Sequence, residues 1–241
     1  MNLVKKSINH SFSNIILIIG IVIVAVNLRP AITSVGPLVG MIRDDLNLAN
    51  WNTGLITSLP LLAFAAMSPI APKLSNRFGN ERTLLLGLLL LFIGICTRSL
   101  SYTPTVYIGT TLVGLGIAVC NVLLPGVIKE KFPNKLGIMT GMYTTLMSVF
   151  AAIASGLSVP LTNLFTSGWQ ASLLSWAALA LLGVIVWIFI YFTNNDEEKE
   201  ARFYEPSAGK LLKSSIAWQV TLFMGLQSFL FYVTVTWLPE I

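Results

Sequence analysis

Apolar residues in this chain follow neither a strict alternation nor a narrow helical stripe. They come in nearly unbroken runs separated by short polar stretches. A run of about 20 residues is the length a helix needs to cross the hydrocarbon core of a bilayer. The runs predict seven spans. Six are placed at about Asn14–Met41, Asn52–Ala71, Thr83–Leu100, Thr105–Ile128, Gly137–Asn163 and Trp169–Phe192. A seventh starts near Ser215 and is still running, or just ending, at Ile241. The first run is too long for a signal-peptide core and lacks a suitably placed small-residue cleavage site, so it reads as a retained helix. The fold class predicted is an all-α membrane protein.

The polar stretch Thr193–Ser214 is the clearest boundary. It holds the charge run Asp196-Glu197-Glu198-Lys199-Glu200 and then the breakers Pro206 and Gly209, and it reads as a solvated linker. The chain therefore divides into a six-helix bundle over 1–192, a linker over 193–214, and over 215–241 a seventh helix that begins a second, truncated bundle.

Composition sharpens this picture. Hydrophobic residues make up 55% and charged residues 10% of the chain, against about 25% charged in a soluble domain. Too little charge is present to cover a globular surface, so lipid must be the solvent. The net charge of +5 does not point to nucleic acid, because the basic residues lie between apolar runs and not on one face. Twelve of the fifteen (Lys5, Lys6, Lys73, Arg77, Arg82, Lys129, Lys131, Lys135, Lys199, Arg202, Lys210, Lys213) fall on one side of the predicted spans. Arg43 and Arg98 fall on the other, and Arg29 within a span. The bias predicts a cell-membrane protein with its N-terminus and the 193–214 loop in the cytoplasm.

Cys96 and Cys120 lie inside apolar runs with no disulfide or metal spacing, and His10 sits in the polar N-terminal segment. The chain has no His-Glu-x-x-His, no paired intramembrane acids and no Ser/His constellation in a span. No enzyme activity, cofactor or metal is expected.

The chemistry concentrates at Asn27-Leu28-Arg29-Pro30, near the middle of span 1. A cation at that depth costs at least about 2.5 kcal/mol and must face protein or water. Pro30 removes a backbone donor and kinks the helix, freeing a carbonyl that needs a partner. Spans 1 to 6 contain no Asp or Glu away from their ends. Arg29 therefore lacks a carboxylate within this half, and an anionic substrate could neutralise it. The alternative is an arginine that only bonds carbonyls of a neighbouring helix, or one that pairs with an acid beyond the chain. Small residues are dense in span 4 (Gly109, Gly114, Gly116, Ala118) and span 5 (Gly141, Ala151, Ala152, Ala154, Ser155, Gly156), where they permit close helix approach.

Between spans 2 and 3 the chain reads Pro72-Lys73-Leu74-Ser75-Asn76-Arg77-Phe78-Gly79-Asn80-Glu81-Arg82. This resembles the signature loop of the major facilitator superfamily, in which a basic residue, a glycine and further basics follow one another. Asn76 stands where the usual acid does, Pro72 where the first glycine does, and of the final basic cluster only Arg82 remains. Three further stretches narrow the resemblance: Asn27-Leu28-Arg29-Pro30-Ala31 with Val35-Gly36-Pro37-Leu38; Asn121-Val122-Leu123-Leu124-Pro125 with Lys129-Glu130-Lys131-Phe132-Pro133; and Phe231-Tyr232 with Trp237-Leu238-Pro239. Together they are similar to the cyanate/nitroimidazole transporter branch of that superfamily.

The resemblance implies an N-terminal six-helix bundle plus the first helix of the second bundle, in a family whose complete members have about twelve helices. It implies that helices 1, 4 and 7 line a central cavity, placing Arg29, Asn27, Asn121, Gln227, Tyr232 and Trp237 near substrate, with Tyr143 in span 5 a further candidate. It implies a conformational role for the loop residues Arg77, Gly79 and Arg82, beside the kink at Pro30. Span 5 lacks the Gly-Pro signature of drug/proton antiporters, and Thr110 stands where proton-coupled members often carry arginine. The expected function is secondary-active or facilitative transport of a small anionic or polar solute by alternating access. Its partners would be that solute and the lipid bilayer, together with a missing C-terminal bundle or a second copy. The alternatives are efflux of small toxic organic compounds such as nitro-heterocycles, and a non-transporting membrane remnant of a truncated carrier gene. The seven-span piece alone is expected to insert without transporting.

Overall fold

The structure, a computed structural model, describes residues 2–165, 167–193 and 213–237, with side chains described over 15–49, 51–165, 167–193 and 213–234. Most of the expected linker lies outside these residues, as do the side chains of Lys5, Lys6, His10 and Trp237. The described chain is helical throughout: α1 Asn2–Leu28, α2 Pro30–Thr33, a 3-10 turn Gly36–Leu38, α3 Val39–Asp45, α4 Asn50–Met67, α5 Ala71–Phe78, α6 Asn80–Arg98, α7 Thr103–Lys131, a 3-10 turn Pro133–Lys135, α8 Leu136–Leu164, α9 Trp169–Thr193 and α10 Ser215–Trp237. Six helical stretches are long and apolar enough to cross a membrane, seven when the bent pair α4 and α5 is taken as one. All seven predicted spans are present. The fold is an all-α multi-pass membrane bundle.

Two elements differ from the sequence reading. The second span continues past the membrane run into α5, bent from α4 by 53°. Pro72 suits the first turn of a helix, where no amide donor is missed, so the polar stretch after Ala71 winds into a helix with Ala71 and Ser75 buried and Lys73, Asn76 and Arg77 outward. The backbone of α1 also begins well before the first apolar run, at Asn2, because no breaker stands between Asn2 and Asn14.

The core lies among α1, α6, α7 and α9. The α6–α7 pair is the tightest contact, and glycine makes it possible. A Cβ at Gly94 would lie 2.7 Å from the Val113 amide nitrogen, and one at Gly116 2.6 Å from the Gly87 oxygen. Backbones meet there because no side chain separates them. The small residues of span 4 thus pack as expected. Those of span 5 divide: Ala151 and Ala154 are buried, whereas Gly141 and Gly156 face open space. The packing role expected of those two glycines is not what the structure shows.

Successive connections fall at alternate ends of the bundle. At one end the Trp169 indole N–H donates to Asp45 Oδ2 (2.9 Å), and the Gln170 amide donates to Ser101 Oγ (2.8 Å). At the other, the Asn80 amide donates to Glu130 Oε2 (2.9 Å), and the Trp187 indole donates to the Glu81 carbonyl (2.9 Å).

Candidate functional site

Span 1 is broken at the site. Leu28 ends α1, and Pro30, which has no amide hydrogen, starts α2 after the single residue Arg29. The backbone at Arg29 nevertheless stays in the helical region, and the span continues as one stretch to Asp45, leaving α-helical bonding only where the Val35 amide turns to the Ile32 carbonyl and the 3-10 turn Gly36–Leu38 follows. Arg29 is half-buried and faces a cavity of about 810 Å³ lined by α4, α7, α8 and α10, within the roughly 300–1,000 Å³ typical of small-molecule pockets.

Arg29 is the one charged side chain among the described residues lining this space. Its guanidinium carbon stands 4.2 Å from the centre of the Phe231 ring and 5.9 Å from that of Tyr232. Stacking covers a face of the guanidinium, while its N–H donors lie in the plane and point along the edge. Among the described residues that edge makes no ion pair or hydrogen bond. Phe231 and Tyr232 come from α10, so the contact joins the six-helix bundle to the helix after the linker.

Asn121 of α7, Tyr143 of α8, and Gln227 and Tyr232 of α10 also line the cavity. Among the described residues none of these four side chains is committed to another hydrogen bond. The hydroxyls of Ser58, Thr144 and Ser148 line it too, each donating to a carbonyl of its own helix at 2.7, 2.8 and 3.0 Å. Their remaining lone pairs are left to accept. The site thus combines a planar cation, two aromatic faces, uncommitted amides and phenols, and hydroxyl acceptors. Such a set can donate hydrogen bonds from the guanidinium and accept them at the hydroxyls.

Two sequence candidates fall elsewhere. Asn27 is buried with its amide donating to the Ile23 carbonyl (2.8 Å) and across to the Leu179 carbonyl of α9 (3.1 Å). It joins helices and is not among the lining residues. The side chain of Trp237 lies outside the described residues.

The loop candidates sit at the far end from Asp45. Gly79 turns the chain between α5 and α6 with φ 88°, a conformation that favours glycine. Arg77 lies over Phe78 at 5.4 Å, and Arg82 over Tyr191 of α9 at 5.4 Å. Asn76 is exposed. The polar tie across this end runs through Ser75, Asn80 and Glu130, with the Ser75 hydroxyl donating to the Asn80 side-chain oxygen.

One residue of the site's surroundings was misplaced by the sequence. Arg98, counted from the sequence among the basic residues of the outer side at the end of span 3, is 1% exposed and donates from Nη1 to the Ala31 carbonyl of span 1. Its position at a helix end gave no sign of this; the only signal was a kinked span in need of donors.

The sequence profile of the Major Facilitator Superfamily matches residues 14–241. The chain is 51% identical over 233 residues to the uncharacterized transporter YycB of Bacillus subtilis, covering 97% of this chain and 57% of the relative. It is 41% identical over 229 residues to the 2-nitroimidazole transporter of Escherichia coli, covering 95% and 58%. It is 22% identical to the cyanate transport protein CynX of Escherichia coli, covering 91% and 56%. The chain therefore spans somewhat over half the length of these relatives. The crystal structure of tetrameric PepTSo2 superposes with a TM-score of 0.62 at 14% identity, over 95% of this chain and 50% of that one, a likeness of fold alone.

Proposed function

The chain belongs to the Major Facilitator Superfamily, and from that premise we propose that it serves transport of a small anionic or polar solute by alternating access, secondary-active or facilitative. The observation that carries this reading is Arg29: a cation at mid-span, over the Phe231 ring across the boundary with α10, lining a cavity in which it has no carboxylate partner among the described residues. A solute with delocalised negative charge satisfies that cation, and alternating access places such a site between two bundles. In this reading residues 1–192 form one bundle, 193–214 link it, and 215–241 begin the second.

A narrower reading concerns nitro-heterocycles, and two observations favour it. The 41% identical relative is named a 2-nitroimidazole transporter, and the cavity offers aromatic faces beside the guanidinium. A nitro group carries its partial negative charge on two coplanar oxygens, which fit a guanidinium edge, and a ring N–H can donate to the free lone pairs of Ser58 or Thr144.

The N-terminus is proposed to face the cytoplasm. Arg77, Arg82, Lys129, Lys131 and Lys135 share the end opposite Asp45, and burial of Arg98 leaves the half-buried Arg43 as the basic residue described at the surface of the Asp45 end. At the basic end, Gly79, Arg77 and Arg82 are proposed to move as the bundles rock.

The deciding experiment is uptake or efflux of 2-nitroimidazole and a panel of small anions by cells expressing the protein from its own reading frame. Arg29→Ala is expected to lower transport at least about 100-fold at near-normal membrane abundance, as loss of a desolvated charge partner does, with Arg29→Lys rescuing only part. Normal transport by Arg29→Ala sinks the reading.

A further inference from the structure

We propose that Arg98, which lies outside the cavity, is a positioning residue that fixes the broken segment of span 1 and through it the direction of Arg29. The inference rests on the reading that Arg29 grips the solute.

The interruption of span 1 leaves carbonyls without their helical donors. In a continuous helix the Val35 amide would bond to the Ala31 carbonyl; here it bonds to the Ile32 carbonyl at 3.2 Å. Buried backbone oxygens in a membrane need another partner. Side chains from two neighbouring helices supply them, and Thr33 ties the segment to α8 besides. Arg98 Nη1 from α6 donates to Ala31 O. Ser158 Oγ from α8 lies 3.0 Å from Ser34 O. Thr33 Oγ1 lies 3.1 Å from Arg29 O and 3.1 Å from Ala151 O. The residue that faces the cavity thus stands at the mouth of a short segment whose shape is set from outside.

Arg98 is the most demanding of these partners. It is 1% exposed, and its Nε and Nη2 have no partner among the described residues. A neutral amide could cap one carbonyl without burying a charge, so stability alone gives a poor account of an arginine here; buried charges of this kind can instead specify one conformation. Its anchorage is firm. A Cβ added at Gly109 of α7 would come within 2.3 Å of the Arg98 amide nitrogen, so α6 and α7 hold the backbone of Arg98 in the tightest interface of the bundle. From there the guanidinium reaches Ala31, with only Pro30 between Ala31 and Arg29. Rigidity in the α6–α7 wall is thereby transmitted to the cavity.

The test uses the full protein from its own reading frame, in membranes. Phenylglyoxal labelling of Arg29, followed by mass spectrometry, reports how freely that guanidinium leaves its aromatic stack and requires no substrate. Arg98→Gln is expected to speed labelling of Arg29 by about threefold or more, because the shorter glutamine amide falls short of the Ala31 carbonyl, and Arg98→Lys less, because lysine keeps a donor of similar reach but loses the fork. Trp187→Phe, which removes a buried hydrogen bond at the opposite end, should lower thermal stability and leave the labelling rate unchanged. In the folded fraction, affinity for 2-nitroimidazole should fall about tenfold in Arg98→Gln and recover in part in Arg98→Lys. An unchanged labelling rate in folded Arg98→Gln overturns the proposal. If that variant does not fold, an unchanged rate in Arg98→Lys overturns it. Failure of the wild-type protein to bind 2-nitroimidazole or any small anion counts against the transport reading, while the labelling still decides the role of Arg98.

Discussion

α7 packs against α6, and at Gly114 against Pro60 of α4, with backbones in contact; toward α8 and α10 it meets open space. On the first side Gly87, Gly94, Gly109 and Gly116 leave no room for a methyl group. On the second, α8 leaves Gly141 and Gly156 without neighbours, and α10 exposes Trp218, Phe223 and Phe229. Both sides are apolar, so hydrophobicity does not distinguish them. Residue size does. In lipid, association depends on packing more than on removal of apolar surface from water. A dense wall and a sparse face thus arise from the same composition, and the cavity lies where the dense wall ends.

The largest expected effect comes from filling the dense side. Gly116→Leu sets a branched side chain where even a Cβ would meet the Gly87 carbonyl and the Leu91 amide at 2.6 and 2.7 Å. Neither neighbour can move as a flexible side chain would. Overpacking of this kind costs about 1–3 kcal/mol or more, so the folded yield in a thermal-shift or size-exclusion assay should collapse. At the boundary the effect is intermediate and specific. Phe231→Ala removes the ring under Arg29, a cation–π contact worth about 0.5–2 kcal/mol. Solute affinity should weaken by about two- to thirtyfold, with Phe231→Trp retaining it. The smallest change belongs to the sparse side. Gly141→Ala adds a methyl group to open space and should leave the melting temperature within the scatter expected of about 0.5 kcal/mol. A large loss from Gly141→Ala would mean that the sparse face is covered by a tightly packed partner, and the contrast would then fail.

The spans were legible because a bilayer imposes one length and one solvent on every helix, and apolar runs record both. Arg29 was legible for the same reason: charge at mid-span stands out against hydrocarbon. What the sequence could not convey was azimuth. Span 1 is apolar nearly all round, so no amphipathic phase tells which way a polar residue points. Asn27 and Arg29, two residues apart, consequently read as partners in one site, whereas a helix turns them about 200° from one another. Asn27 faces α9 and Arg29 the cavity. Arg98 was hidden by depth. A basic residue at a span end looks like a loop residue, and only the fold brings the Ala31 carbonyl, 67 positions away in sequence, to meet it. The α4–α5 bend, marked by Pro69, fell inside the predicted second span, and α5 beyond Ala71 was read as loop, because a short amphipathic helix beyond a span resembles any polar connection.

The interruption of span 1 also sets an order of assembly. Span 1 is synthesised before α6 and α8, so the donors for its carbonyls are made later: Arg98 arrives 67 residues after Ala31, and Ser158 124 residues after Ser34. Until then the nascent helix carries an arginine and open backbone groups, a burden that hydrocarbon tolerates poorly. Membrane retention of span 1 in chains arrested at successive lengths should therefore rise once α6 has emerged and again after α8. Span 1 precedes the donors it depends on, and biogenesis of this bundle must shelter it through the synthesis of the next four spans.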